Sequence, residues 1–301
     1  MIQRPVLIIG GPTASGKSGL ALAVAERISG VVINADSMQM YQGLPLLTAQ
    51  PPPEDFKKTP HRLYAALMPG EPCSAARWRD LALAEIAGAQ AEKKLPIIVG
   101  GTGFYLKTLL QGISPIPPIP PEFRDRAAAL QKELGNPGFH QALEKRDPDT
   151  AARLDPLNTQ RLIRAWEVLE ATGKSLAAWQ SAPPVPPPPH LRFITVALLP
   201  PRAALYEACN ARFKAMLRLG VLEEVRQFKK LSLYSKALGY AELSDHLDGK
   251  MSLEDAVAAA QQATRRYAKR QVTWFRHQMT PAQILQTPDP APVLDFLPGI
   301  F

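Results

Sequence analysis

Residues 5–18 read PVLIIGGPTASGKS, and this stretch decides the fold. The apolar run Val6–Ile9 predicts a buried parallel strand, and the pattern GxxxxGKS over residues 11–18 is that of a phosphate-binding loop. Glycines let the backbone curl so that several N–H groups face one anion, and the helix that begins near Lys17 directs its positive end at the same place. We expect Lys17 to contact a terminal phosphate and Ser18 to ligate Mg²⁺. The pattern leaves open whether the loop holds a nucleotide or another diphosphate.

Length and composition describe an ordinary globular protein. The 301 residues are enough for one large or two modest domains, and 46% of them are hydrophobic. No apolar run approaches the roughly 20 residues that span a bilayer, and the first strand begins so close to Met1 that we expect no signal peptide. Cys73 and Cys209 lie far apart without a CxxC motif, which argues against a disulfide framework and a zinc site. We therefore expect a cytoplasmic protein that does not bind a membrane.

The net charge of +8, from 35 basic and 27 acidic residues, favours a polyanionic partner. Residues 261–278 contain five Lys and Arg residues and no acidic one, with Tyr267, Trp274 and Phe275 among them. A basic helix with aromatic residues can follow a nucleic-acid backbone. It can equally place its aromatic residues in a core and leave its basic face in water. The sequence leaves both interpretations open.

Two proline-rich runs, Ser114–Pro121 and Pro183–Pro189, bracket one block of helical sequence. Such runs form stiff, extended connectors rather than helix or sheet. We therefore predict a helical subdomain over residues 122–189, inserted into a core that is formed by residues 1–121 and 190–301.

Strands and helices alternate in the predicted core. The strand signals lie at Val6–Ile9, Val31–Asn34, Pro96–Val99, Phe193–Leu198 and Ile284–Gln286. The helical stretches lie at Ser18–Ser29, Ala75–Lys94, Tyr105–Gln111, Arg202–Leu219, Leu222–Leu231 and Leu253–Gln278, and in the insertion at Asn158–Leu169, ended by Gly173. This order predicts an α/β fold of the P-loop NTPase type, a doubly wound parallel sheet whose ligands lie beyond the carboxyl ends of its strands.

Two further strands end in residues that carry chemistry. Asp36 follows the strand Val31–Asn34, and Thr102 follows the strand Pro96–Val99 after two glycines. Because these strand ends share one edge of the sheet, we expect both side chains beside the phosphate loop. Asp36 is suited to hold Mg²⁺ through water or to act as a general base, and an N-cap is its structural alternative. The strand Pro96–Val99 is followed by Gly-Gly-Thr and by no acidic residue, which argues against ordinary nucleotide hydrolysis.

Three motifs stand in order along the chain: GPTASGKS at 11–18, NADSMQ at 34–39 and VGGTGFY at 99–105. Together they resemble the tRNA dimethylallyltransferase (tRNA isopentenyltransferase) family. Further matches lie at residues 74–78, 158–165, 172–176, 212–213, 238–240 and 263–271. The resemblance implies transfer of a dimethylallyl group from dimethylallyl diphosphate to N6 of adenine 37 in the tRNA anticodon stem-loop. The loop would then hold the donor diphosphate and not ATP.

The resemblance also implies residue roles. The residues that would bind the diphosphate are Gly11, Pro12, Thr13, Ala14, Ser15, Gly16, Lys17 and Ser18. Asp36 would take the proton from N6, while Thr102, Arg212, Lys17 and Mg²⁺ on Ser18 would neutralise the leaving diphosphate. The residues that would contact the flipped base and the stem-loop are Asp36, Ser37, Met38, Gln39, Thr102, Arg124, Gln160, Arg161, Leu162, Ile163, Arg164, Lys236, Ala237, Leu238, Gly239 and Tyr240.

The tRNA contacts have a structural alternative at one place, and the sequence departs from the family pattern at two others. Arg161 and Arg164 share one helix face, for which a salt-bridged surface is the alternative. Gln50 stands where the family usually has a lysine, and Ala241 where it commonly has a basic residue. Both departures remove potential phosphate contacts and bear on tRNA affinity. We expect a monomer.

Three other functions remain as alternatives. A prenyltransferase for free adenine nucleotides would share the loop and Asp36, but a small acceptor needs neither the helical insertion nor the basic helix. A P-loop kinase for small molecules would use the insertion as a lid. A non-catalytic RNA-binding module would have no use for Lys17, Ser18, Asp36 and Thr102 together.

Overall fold

The computed structural model describes residues 4–297, which divide into two compact units. The first unit combines the chain up to Leu110 with the chain from Pro188 onward, and the second is Gln111–Pro187. The second unit includes the segments on both sides of its helices, since the backbones of Ile113 and Val185 pair as an antiparallel bridge. Within residues 4–297 no helix is both long and apolar enough to cross a membrane.

The first unit is built on a parallel six-stranded sheet in the order β3-β2-β4-β1-β5-β6. The strands are β1 (Arg4–Gly10), β2 (Gly30–Asn34), β3 (His61–Arg62), β4 (Leu95–Gly100), β5 (Leu191–Leu198) and β6 (Gln283–Leu285). β2 and β4 are buried along their whole length, as expected of parallel strands covered on both faces. The predicted α/β fold is confirmed. The short strand β3 has no apolar run and was missed by the sequence pattern.

Helices cover both faces of this sheet. Those of the first unit are α1 (Lys17–Arg27), α2 (Pro45–Thr48), α3 (Pro53–Lys58), α4 (Ala75–Ala91), α5 (Gly103–Gln111), α10 (Arg202–Arg218), α11 (Val221–Lys230), α12 (Tyr240–Leu247), α13 (Leu253–Gln278) and α14 (Ala291–Asp295). Alternating strand residues serve two separate cores. Ile8 and Ile33 pack with Trp78 of α4, whereas Leu7 and Val32 pack with Leu20 of α1.

Two predicted helices end earlier than expected, for the same reason. α1 was expected to reach Ser29 and α4 to reach Lys94, but they end at Arg27 and Ala91. Ser29 and Lys93 adopt φ of 52° and 55°, in the left-handed region that a helix cannot continue through. Apolar periodicity carries little information about such terminal turns.

The second unit is helical, with its own core. Its helices are α6 (Pro121–Arg146), α7 (Pro148–Ala151), α8 (Thr159–Thr172) and α9 (Leu176–Ser181). Phe139 and Leu143 of α6 pack against Leu162 and Trp166 of α8. The helical stretch was predicted to end at Leu169, but α8 continues to Thr172. The helix-ending role predicted for Gly173 is confirmed, since this residue caps α8 with a φ of 68°. α6 is interrupted at residue 135, two residues before a proline.

The close approach of Gly100 to the backbone of Ala35 gives a stability prediction. A Cβ on Gly100 would collide with the backbone of Ala35, whereas one on Gly88 of α4 would meet open space. We expect Gly100→Ala to lower the free energy of unfolding by about 2 kcal/mol, because neither backbone can move without disturbing the sheet. Gly88→Ala, the matched control, is expected to raise it by about 0.5–1 kcal/mol through helix propensity. Urea unfolding of both variants tests this; equal stabilities would contradict it.

Candidate active site

The phosphate loop lies between β1 and α1, at the carboxyl edge of the sheet. Ala14 and Gly16 adopt φ of 62° and 90°, which turns the chain sharply before α1 begins at Lys17. A Cβ on Gly11 would lie 2.5 Å from the carbonyl oxygen of Leu198, so only glycine allows this approach. The loop is thus a tight turn at a helix N-terminus, an arrangement that favours an anion.

Two cations stand at the loop. Lys17 Nζ donates to the carbonyl oxygen of Pro12 at 3.1 Å, and Arg212 Nη2 of α10 donates to Thr13 Oγ1 at 2.7 Å. Burial lowers the pKa of Lys17 to about 8; Asp36 opposes this shift and Arg212 adds to it. Burial also lowers the pKa of Arg212. Both cations therefore lack full compensation by the protein and would gain from a bound anion.

Ser15 adds a buried polar atom to the loop. It is 5% exposed, and within the described residues its Oγ has no hydrogen-bond partner. Buried hydroxyls without a partner are rare in proteins, and a bound ligand or water commonly supplies one. The hydroxyl of Ser18, in contrast, lies at an exposed position in the first turn of α1.

Asp36 is held in place by the side chain of Asn34. Asn34 is fully buried; its Oδ1 accepts from Asp36 N at 2.8 Å and its Nδ2 donates to Asp36 O at 2.9 Å. The carboxylate of Asp36 accepts from Met38 N through Oδ1 at 3.0 Å. This is the turn-capping bond of the structural alternative. It uses one oxygen, and within residues 4–297 nothing donates to the other.

Thr102 is tied to the Asp36 loop. Its Oγ1 accepts from Ser37 N at 2.9 Å and its backbone N donates to Ala35 O at 3.2 Å. The charge of Asp36 acts on the pKa of both Lys17 and Arg212, so these groups share one electrostatic centre. The structure thus brings together the three predicted catalytic residues and the phosphate loop.

Tyr267 of α13 lies within range of the charge of Asp36. Burial, together with that charge, raises the pKa of Tyr267 to about 12, while Arg270 opposes the shift. The phenol therefore stays neutral and can donate or accept a hydrogen bond at neutral pH. In the sequence it was one of three aromatic residues of a basic helix, for which core packing and nucleic-acid contact were equal alternatives.

Gln39 and Gln50 serve the backbone around α2. Gln39 Nε2 donates to Thr48 O at 2.9 Å and Ala49 O at 2.7 Å. Gln50 Nε2 donates to Tyr41 O at 2.8 Å and more weakly to Gln39 O. The residue that replaces the family's lysine therefore stabilises the loop that carries Gln39.

The segment 236–240 presents few side chains to a ligand. Tyr240 is 4% exposed and its hydroxyl donates to Leu233 O, while Ala237 is also buried. Gly239 has a φ of 91° and precedes α12; a Cβ there would lie 2.8 Å from Phe213. Lys236 is exposed, so its side chain is open to a ligand.

The remaining predicted tRNA contacts lie in the second unit. Arg164 Nη1 and Arg124 Nη1 both face the buried carboxylate of Glu167, at 2.8 Å and 3.5 Å. Leu162 and Ile163 belong to the core of this unit. Gln160 and Arg161 are exposed. The salt-bridged alternative therefore applies to Arg164, and an exposed cation is available at Arg161.

A metal ion would need ligands from the substrate. Within the described residues no three His, Cys, Asp or Glu side chains come together as a metal site. The Ser18 hydroxyl and the Asp36 carboxylate are hard oxygen donors of the kind that Mg²⁺ prefers, and Mg²⁺ commonly takes one or two protein ligands together with phosphate oxygens and water. The donor set fits a cation that arrives with a diphosphate.

The family model for IPP transferases matches residues 39–278. The chain belongs to the IPP transferase family. Curated tRNA dimethylallyltransferases from Rhodospirillum centenum and Paramagnetospirillum magneticum are 56% and 55% identical to it, over 93% and 92% of this chain and 91% and 89% of theirs. The resemblance found in the three motifs is thereby confirmed.

Solved structures agree with this assignment to the IPP transferases. A crystal structure of tRNA isopentenylpyrophosphate transferase from Bacillus halodurans has a TM-score of 0.70 and 31% identity, covering 99% of this chain and 96% of that one. A eukaryotic dimethylallyltransferase acting on tRNA shares the fold, with a TM-score of 0.79 and 24% identity over 95% of this chain and 74% of that one.

Sequence reasoning missed Asn34, Tyr267 and Gln271 as parts of this IPP transferase site. Asn34 and Gln271 stand inside motifs that carried the family resemblance, so a signal was present. Residue type alone gave no reason to single them out, because a buried amide is recognised only by the backbone groups that it meets.

The lowered pKa of Lys17 predicts a pH-dependent affinity for anions. A lysine with a pKa of about 8 is charged below that pH and neutral above it. We expect the Kd of inorganic pyrophosphate, measured by calorimetry without metal, to rise by about tenfold between pH 7 and pH 9. Lys17→Arg is the matched control, because arginine keeps its charge and the ligand titrates identically. Parallel pH curves for the two proteins would contradict this role.

Proposed function

We propose that the protein transfers a dimethylallyl group from dimethylallyl diphosphate to N6 of adenosine 37, next to the tRNA anticodon. One observation carries this proposal. A phosphate loop, a carboxylate with one oxygen that has no donor among residues 4–297, and a second hydroxyl-bearing loop meet at one edge of the sheet, in a chain 56% identical to a tRNA dimethylallyltransferase. Cys73 and Cys209 are free cysteines, which suits the cytoplasm, where tRNA is modified.

Asp36 is the general base in this proposal. The lone pair of the adenine amino group is delocalised into the ring, so N6 becomes a good nucleophile only as its proton leaves. In the reaction N6 forms a bond to C1 of the dimethylallyl group, the C1–O bond to diphosphate breaks, and the N6 proton passes to Asp36. The bond of Asp36 Oδ1 to Met38 N orients the carboxylate and leaves Oδ2 for this proton.

The leaving diphosphate is stabilised by the cations at the loop. Among the residues that the structure describes, Lys17 and Arg212 each donate to one neutral oxygen, Pro12 O and Thr13 Oγ1. They therefore need little reorganisation as negative charge develops on the leaving oxygens. Thr102, whose Oγ1 accepts a hydrogen bond from Ser37 N, would supply a hydroxyl to the same leaving diphosphate.

Mg²⁺ would be held by Ser18 and, through water, by Asp36, and when bound it would supply further charge neutralisation to the diphosphate. The protein residues contribute binding and orientation independently of it.

Arg161, Gln160 and Lys236 are exposed and are the side chains that we assign to the tRNA stem-loop. We propose that the protein works as a monomer.

The proposal is tested by incubation with dimethylallyl diphosphate, Mg²⁺ and unmodified tRNA with adenosines at positions 36–38, followed by mass spectrometry of the nucleosides. A dimethylallyl increment on adenosine 37 is expected. An increment on free AMP instead would indicate the nucleotide prenyltransferase, and consumption of ATP alone would indicate the kinase.

In the same assay Asp36→Asn is expected to lower kcat by about 10²–10⁴-fold, the usual contribution of a general base. The amide keeps an oxygen for Met38 N but cannot accept the N6 proton, so tRNA affinity should change little. Asp80→Asn, an exposed carboxylate on α4, is the matched control. Unchanged turnover of Asp36→Asn would contradict the base assignment.

Arg161 gives a prediction for tRNA binding. Arg161→Ala is expected to weaken the Kd of tRNA several-fold and to reduce the slope of log K against log salt by about one phosphate contact. Its exposure implies unchanged thermal stability. Arg153→Ala, an exposed arginine in the same unit without a predicted contact, is the control. Equal salt slopes for both variants would remove Arg161 from the interface.

A further inference from the structure

Gln271 of α13 reaches two backbone groups of the active site. Its Oε1 accepts a hydrogen bond from Thr13 N at 2.8 Å, and its Nε2 donates one to Gly101 O at 2.8 Å. The side chain is 5% exposed. One amide therefore connects the phosphate loop after β1 to the loop after β4, from a helix that lies far along the chain from both.

Each of these backbone groups adjoins a residue of the proposed reaction. Thr13 carries the hydroxyl that receives Arg212 Nη2 at 2.7 Å. Gly101 directly precedes Thr102, whose Oγ1 accepts from Ser37 N, next to Asp36. Hydrogen bonds and neighbouring residues thus connect Arg212, on the diphosphate side of the proposed site, with Asp36, the proposed general base.

The side chain of Gln271 is closely packed by the backbone of the loop that it contacts. A Cβ on Gly101 would collide with Gln271 Nε2 and lie 3.1 Å from Gly11 O. In the next turn of α13 after Gln271, Trp274 packs against Gly103 and Phe275 packs against Gly10. The helix is therefore seated against both loops, and the amide occupies a site of fixed size.

A neutral amide satisfies both neighbours, and an ionised or apolar side chain would not. Thr13 N needs an acceptor and Gly101 O needs a donor, and glutamine supplies one of each from a single planar group. A carboxylate would keep the acceptor and lose the donor. An apolar side chain would leave two buried backbone groups unpaired, which is costly.

We propose that Gln271 is a positioning residue, which sets the spacing between the phosphate loop and the Thr102 loop so that a bound diphosphate donor is aligned with Thr102 and Asp36. This role rests on the proposed function. Because reaction rates respond steeply to the alignment of reacting groups, it concerns kcat more than the binding of either substrate.

Gln271→Glu tests this role through pH. An ionised glutamate accepts from Thr13 N but cannot donate to Gly101 O, whereas a protonated one does both, and burial favours the protonated form. We expect kcat at pH 8 to fall by about 10–100-fold, because displacement of the two loops would misalign the reacting groups. The KM for dimethylallyl diphosphate and the Kd of tRNA should change by less than threefold. The ratio of variant kcat to wild-type kcat should rise towards one as the pH falls to 6.

Gln262→Glu is the matched control, since Gln262 is exposed on the same helix and the charge change is identical. If Gln271→Glu does not fold, Gly101→Ala displaces Nε2 from the other side, and a comparable loss of kcat without a pH-dependent ratio is expected. Equal kcat of Gln271→Glu and wild type, or a ratio that does not change with pH, would overturn the proposal. Wild type that yields no dimethylallyl product would overturn the proposed function and, with it, this role.

Discussion

Close backbone contact at the carboxyl edge of the sheet is the constraint on which the rest of the site depends. Gly100 lies against the backbone of Ala35, and Gly11 lies against Leu198 O. These contacts place the ends of β1, β2, β4 and β5 so near one another that only glycine fits between them. The residues that follow those strand ends are consequently neighbours, although the chain separates them widely.

Charge at that edge is arranged for a ligand. Lys17 and Arg212 are partly withdrawn from water, and burial disfavours the charged form of each. Asp36 is the carboxylate whose field they share, and one carboxylate does not balance two cations. In the proposed reaction a diphosphate would supply the missing negative charge, and the electrostatic free energy of the unbalanced cations would favour substrate binding and departure of the leaving group.

Polar side chains act here largely through backbone groups. Asn34 holds both the N–H and the carbonyl of Asp36, Gln39 and Gln50 organise the loop around α2, and Gln271 joins two loops. Amides suit this work because they hold backbone groups while staying uncharged: Asn34 and Gln271 both donate and accept, whereas Gln39 and Gln50 donate to two carbonyl oxygens each. The charged residues remain available for substrate.

The sequence by itself determined the parallel α/β fold, the phosphate loop and the placement of Asp36 and Thr102 beside it. Local patterns encode these features, since apolar runs, glycine spacing and strand order depend on residues close in the chain. Tertiary structure alone decided which predicted contacts are exposed. Leu162, Ile163 and Tyr240 are buried, whereas Arg161 and Lys236 are open, because burial depends on which distant elements pack there. It also decided that Gln271, in a helix predicted for its basic charge, meets Thr13 and Gly101: a hydrogen bond between residues 258 positions apart leaves no periodicity in the sequence.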